Sequence, residues 1–97
     1  DLQFEPSDHD AFPCLGLAYI AGRLGQTAPA WFSAANEIAV EAFLAGRIRW
    51  VDIAGVNADA LERWDGTAAD TIEAVLAADA HARVVAADLV SMYEEAR

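Results

Sequence analysis

The sequence predicts an all-α fold: a small antiparallel helical bundle with an extended acidic N-terminal lead-in. Three observations carry this expectation. Apolar residues recur at three- and four-residue spacing along most of the chain, with no sustained period-two alternation. Alanine is very frequent and β-branched residues are a minority, which favours helix because alanine loses no side-chain entropy there. Three of the six glycines, Gly25, Gly46 and Gly66, fall where an apolar stripe stops, as residues that tolerate the left-handed turn closing a helix do.

Residues 1–11 read as extended, because Pro6 forces Glu5 away from helical angles. Asp10 or a neighbour is placed to cap the first helix, with Pro13 in its first turn, where the missing N–H costs nothing. That helix runs to about Leu24 with Cys14, Leu17, Ala18, Ala21 and Leu24 as its apolar stripe, and Gly25 as its stop. Pro29 starts the next turn. The strongest helical segment follows, Ala34 to Ala45, apolar nearly all round except for Glu37 and Glu41. Such a helix belongs at the centre of a bundle. Gly46 stops it, and Arg47–Val51 reads as a linker. Asp52 is expected to cap a third helix with Ile53, Val56, Ala60, Leu61 and Trp64 inward, ending at Gly66. Asp70 with Glu73 signals a short helix from Thr71 to Ala77. Asp79 is then expected to cap a longer one with Ala82, Val85, Ala86, Leu89, Met92 and Tyr93 on one face.

A chain of 97 residues suits one small core. Sixteen acidic against six basic residues give a net charge of −10, which repels both a nucleic-acid backbone and an anionic membrane. No apolar run approaches the ~20 residues of a membrane span, and no basic n-region of a signal peptide opens the chain, so the cytoplasm is the expected compartment. The first residue is not methionine, which points to a piece of a longer polypeptide.

Few residues carry legible chemistry. No glycine-rich phosphate loop is present, so no cofactor-binding residue is assigned. His9 sits in an acidic loop, and His81 with Asp79 or Glu73 lacks a metal-ligand pattern, so no metal residue is assigned. Cys14 lies on an apolar stripe without a partner base, so no catalytic residue is assigned. Trp31, Trp50 and Trp64 read as core or interdomain anchors, since a −10 surface suits no nucleic-acid stacking platform. The most informative segment is Ser33-Ala34-Ala35-Asn36-Glu37, a structural motif. Asn36 shares a helical side with Val40 and Phe43. Its amide is therefore expected to be buried and bonded to backbone of the turn around Ala28–Ser33, with Ser33 capping the helix. Glu37 and Glu41 repel at i, i+4 spacing unless both are solvated, or are neutralised by arginines such as Arg47 and Arg49 or by another domain.

Four stretches, in this order and spacing, resemble one family. They are Phe4-Glu5-Pro6 leading to Phe12-Pro13-Cys14-Leu15; Ala34-Ala35-Asn36-Glu37 with Ala42-Phe43-Leu44-Ala45-Gly46-Arg47-Ile48; Trp50-Val51-Asp52-Ile53; and Val75-Leu76-Ala77-Ala78-Asp79-Ala80 with Ala82-Arg83. The set is similar to the C-terminal region of 1-deoxy-D-xylulose 5-phosphate reductoisomerases. The resemblance implies a helical C-terminal domain over residues 12–97, with residues 1–11 as the end of an interdomain linker and the catalytic domain of the same enzyme as partner in cis. It implies a full enzyme of non-mevalonate isoprenoid precursor synthesis that uses NADPH and magnesium or manganese, forms a homodimer and is cytoplasmic and bacterial. The family's nucleotide fingerprint and metal-binding carboxylates lie in other domains, so these 97 residues are expected to be inactive alone. Ser33 stands where the family usually has asparagine, Gly16 where it has a basic residue, Trp50 where it has phenylalanine, and Trp31-Phe32 where it has smaller aliphatics. The other reading is a free-standing acidic helical protein-interaction module.

Overall fold

The computed structural model describes residues 13–96, with side chains from Gly16 onward. The lead-in of residues 1–11, with His9 and Asp10, lies outside the described residues, as does the Cys14 side chain. Four helices form within the described span: α1 (Pro13–Leu24), α2 (Ala28–Leu44), α3 (Trp50–Glu62) and α4 (Ile72–Glu95). No strand occurs among the described residues.

α2 is the hub and packs against each of the other three. Its exposed positions Pro29, Ser33, Glu37 and Glu41 recur every four residues and make one solvent stripe. Around the rest of it, Ala28, Trp31, Ala34, Ala35, Ala39 and Ala42 are buried, while Phe43 is half-buried. The alanine excess thus has a packing role beyond helix propensity. On α4 the buried alanines Ala78, Ala82 and Ala86 recur every four residues and meet the alanine face of α2. Larger side chains fill the space beside them: Ile48, Ile53, Val56, Leu89 and Val90 toward one end, Trp31 with half-buried Leu61 and Trp64 toward the other.

The glycine stops lie where the stripes end. Gly46, at φ +77°, adopts the left-handed conformation just after α2, where a Cβ would be strained. Helix starts differ from the sequence expectation at three places. α2 begins at Ala28, six residues before Ala34, because Pro29 occupies its first turn instead of a preceding loop. Asp52 is the third residue of α3, not its cap. Its Oδ2 accepts from the Arg49 backbone N–H at 2.8 Å, so the helix starts at Trp50. The two expected C-terminal helices are one. Thr71 caps it by accepting from the Ala74 N–H at 3.0 Å, and Asp79 instead lies inside it, bonded to Arg83 one turn on at 2.8 Å. Met92, expected inward, is 56% exposed. On α1, Ala21 is buried but Ala18 and Leu24 are exposed, so its inward stripe is narrower than expected.

Candidate functional site

The Ser33–Glu37 segment lies in the middle of α2, and its members part company there. Ala34 and Ala35 are buried, Asn36 is half-buried, and Ser33 and Glu37 are exposed. Asn36 does not bond the backbone of residues 28–33, because those residues are themselves helical. Its Oδ1 accepts from Nδ2 of Asn57 on α3 at 2.8 Å. Asn57 is fully buried, one turn from Ile53 and adjacent to Val56. The amide pair therefore fixes the rotation of α2 against α3. Ser33 sits inside the helix and cannot cap it; the residue before the helix is Thr27. Glu37 accepts from Arg83 of α4 at 3.0 Å, so the arginine that neutralises Glu37 comes from the last helix. Arg83 bonds Asp79 as well. The two carboxylates push its already high pKa up further, the Glu37 bond contributing most.

Trp31 and Trp64 define one end of the α2–α3 pair. The Trp31 indole N–H donates to the Ala60 carbonyl at 2.7 Å, and its ring meets the His81 ring edge-on at 5.0 Å. His81 is on an exposed face. The Trp64 indole N–H donates to Thr27 Oγ1 at 2.8 Å. The fully buried Thr27 hydroxyl in turn donates to the Thr67 carbonyl at 2.6 Å. Asp65 accepts from both the hydroxyl and the backbone N–H of Thr67, and these bonds lower its pKa.

The opposite end is a clamped turn. Ile48 is buried, Arg47 donates through Nε and NH2 to Glu94 near the end of α4, and Arg49 donates to Asp52 through Nε and NH2 at 3.2 and 3.1 Å. The hydrogen bond and charge of Asp52 raise the Arg49 pKa. Beside this turn, Tyr93 crosses α3 over Gly55. A Cβ on that glycine would fall 2.5 Å from the phenolic oxygen, so a glycine is required for this approach. Tyr93 donates to Asp59 at 2.8 Å. Burial, then the Asp59 bond and the charges of Asp59 and Asp52, push its pKa up to about 12. Arg49, Asp52, Tyr93 and Ala96 line an open cleft of about 640 Å³.

Thr27, Asn57, Gly55 and the Tyr93–Asp59 pair did not stand out in the sequence. Asn57 had a signal, since Ile53, Val56, Asn57 and Ala60 share one helical face. No group of three His, Cys, Asp or Glu side chains capable of holding a metal occurs among the described residues. No described helix is long and apolar enough to cross a membrane. The conspicuous polar side chains hold helices and turns together. That is the arrangement of a helical structural domain.

Comparison with known proteins gives the domain its family. The model of the DXP reductoisomerase C-terminal domain matches residues 1–85, and the chain belongs to this family. It is 58% identical over 82 residues to the 1-deoxy-D-xylulose 5-phosphate reductoisomerase of Cupriavidus metallidurans, covering 84% of this chain and 21% of that protein. It is 54% identical over 90 residues to the Cupriavidus necator enzyme, covering 93% of this chain and 23% of that one. A solved structure of the Zymomonas mobilis reductoisomerase, in complex with NADPH, is similar with a TM-score of 0.81 at 40% identity, covering 86% of this chain and 22% of that one. The chain thus spans about a fifth of the length of the relatives it matches.

Proposed function

We propose that this chain serves as the C-terminal helical domain of a bacterial 1-deoxy-D-xylulose 5-phosphate reductoisomerase and supports the catalytic domain in cis without contributing a catalytic residue. In this reading residues 1–11 are the end of the interdomain linker and residues 12–97 the bundle. The full enzyme is an NADPH- and divalent-metal-dependent homodimer of the cytoplasm that makes an isoprenoid precursor. The observation that carries the reading is the family match over residues 1–85. The described residues themselves do not fit either cofactor. They include no three-ligand cluster, and Gly25, Gly46 and Gly66, the glycines with positive φ, lie in the connections after α1, α2 and α3 and form no phosphate loop. Asn36, half-buried and bonded to the fully buried Asn57, acts between helices and not toward a substrate.

The test has two arms. The isolated chain, given 1-deoxy-D-xylulose 5-phosphate, NADPH and magnesium, should oxidise no NADPH. A chimera in which this chain replaces the corresponding region of the Cupriavidus metallidurans enzyme should oxidise NADPH in a substrate-dependent way. Turnover by the isolated chain, or a well-folded but inactive chimera, would overturn the reading.

A further inference from the structure

Of the three tryptophans, two are absorbed by the core, and the third is displayed. Trp50, the first residue of α3, is 71% exposed. Next to it in sequence Val51 is 64% exposed, and Leu44 at the end of α2 is 75% exposed. The Trp50 ring meets Phe43 edge-on at 5.5 Å, which joins the end of α2 to the start of α3 in one apolar ridge. The backbone under this ridge is held from three sides. Ile48 is sunk in the core, Arg47 is tied to Glu94, and Arg49 is tied to Asp52. A large aromatic displayed on a preorganised turn loses little further freedom on binding, which is the property of an interface anchor.

The charge pattern singles out the same place. The run Ala42-Phe43-Leu44-Ala45-Gly46-Arg47-Ile48-Arg49-Trp50-Val51 contains no acidic residue, in a chain whose net charge is −10. Its two arginines are paired with carboxylates, Arg47 with Glu94 and Arg49 with Asp52, so the ridge carries little net charge. A protein surface can cover it without desolvating unpaired carboxylates. Interface cores share this depletion of acids and enrichment in tryptophan and arginine. Another open apolar groove, of about 340 Å³ at Ala69–Leu76, includes Asp70 in its lining and presents no aromatic side chain.

We propose that the Leu44–Trp50–Val51 ridge is the surface on which the rest of the reductoisomerase polypeptide seats, with Trp50 inserted in an apolar pocket of that partner. The occupant follows from length: the matched relatives carry about four-fifths of their chain outside this region, joined in cis. The proposal rests on the reading of the chain as the C-terminal domain of such an enzyme. A second copy of the chain is the competing occupant, and it would bring two strongly acidic surfaces together.

The experiment compares the isolated chain with the chimera described above by amide hydrogen exchange. Residues 44–51 should exchange at least about tenfold more slowly in the chimera, while residues 69–76 should change little. Trp50→Asp should leave the melting temperature of the isolated chain within about 2 °C, yet lower that of the chimera and abolish the added protection. Trp50→Phe should retain both, and Leu76→Asp should be silent in both proteins. Added protection at residues 69–76 instead of 44–51, or a Trp50→Asp chimera as protected as the parent, would overturn the assignment while leaving the domain's membership in an active enzyme intact. Concentration-dependent dimerisation of the isolated chain that Trp50→Asp abolishes would assign the ridge to a second copy. An inactive chimera with unprotected residues 44–51 would overturn both readings.

Discussion

At one end of the α2–α3 pair Trp31 is 1% exposed and its N–H reaches the Ala60 carbonyl; at the other, Trp50 is 71% exposed and stands on a turn held by two arginines. Both ends are ordered, but by different means. The first is held by burial with every indole N–H satisfied, through Ala60 for Trp31 and Thr27 for Trp64. The second is held by Ile48 and by ion pairs that leave the apolar side chains of residues 44, 50 and 51 outward. At the first end the tryptophans are part of what stabilises the bundle. At the second the core beneath the turn does that work, and the exposed side chains of residues 44, 50 and 51 add little to it in isolation.

Substitutions at the two ends should separate these roles. Trp31→Ala removes the largest fully buried side chain and one of the bonds to the Ala60 carbonyl, and should cost about 3–5 kcal/mol in urea unfolding. A loss under about 1 kcal/mol would erase the contrast between the ends. Midway along the pair, Asn57→Leu leaves the Asn36 carbonyl oxygen without its donor and should cost about 1–3 kcal/mol. Replacing both asparagines by leucine should cost less than the sum of the single changes, because neither amide is then stranded. An additive double change would mean that the pair does not set how α2 meets α3.

At the clamped end, Tyr93 should ionise near pH 12 in a Tyr19→Phe background followed by ultraviolet absorbance, against about 10 for an ordinary tyrosine. A folded-state pKa raised in this way contributes stability that is fully present below pH 10 and lost as pH rises through 12. Asp59→Asn should bring the transition down, and a titration unmoved by that change would remove Asp59 as a cause. The smallest effect is expected at Trp50→Ser, within about 0.5 kcal/mol of the parent in the isolated chain, since an exposed side chain is lost.

Much of the architecture was legible because helix ends are written in local chemistry. Gly25, Gly46 and Gly66 all take positive φ in the connections that follow helices, as their places beyond apolar stripes imply. Helix starts were harder, because an aspartate can serve three positions. Asp52 reads as a cap but accepts from Arg49, three positions earlier, and Asp79 reads as a cap but belongs to an ion pair one turn long. Pro29 reads as a turn although a first helical turn accommodates it equally well. Within the Ser33–Glu37 segment, spacing marks Asn36 as an amide that needs a partner but points to the wrong one, the backbone of residues 28–33. The actual partner, Asn57, lies 21 residues away, and only the packing of α3 on α2 brings it there. The tryptophans show the same limit. Spacing puts Trp64 on an inward stripe, but nothing local distinguishes Trp31, which is buried, from Trp50, which is not.

Fluorescence of the isolated chain and its Trp50→Phe variant tests the contrast between the two ends most directly. The substitution is mild, and the ring that leaves is the exposed one. The parent should show a red-shifted emission component readily quenched by acrylamide. The variant should lose that component and keep the blue-shifted, poorly quenched emission of Trp31 and half-buried Trp64. A variant whose emission and quenching match the parent's would mean that Trp50 is buried in solution, contradicting the contrast between tryptophans held in the core at one end and one displayed at the other.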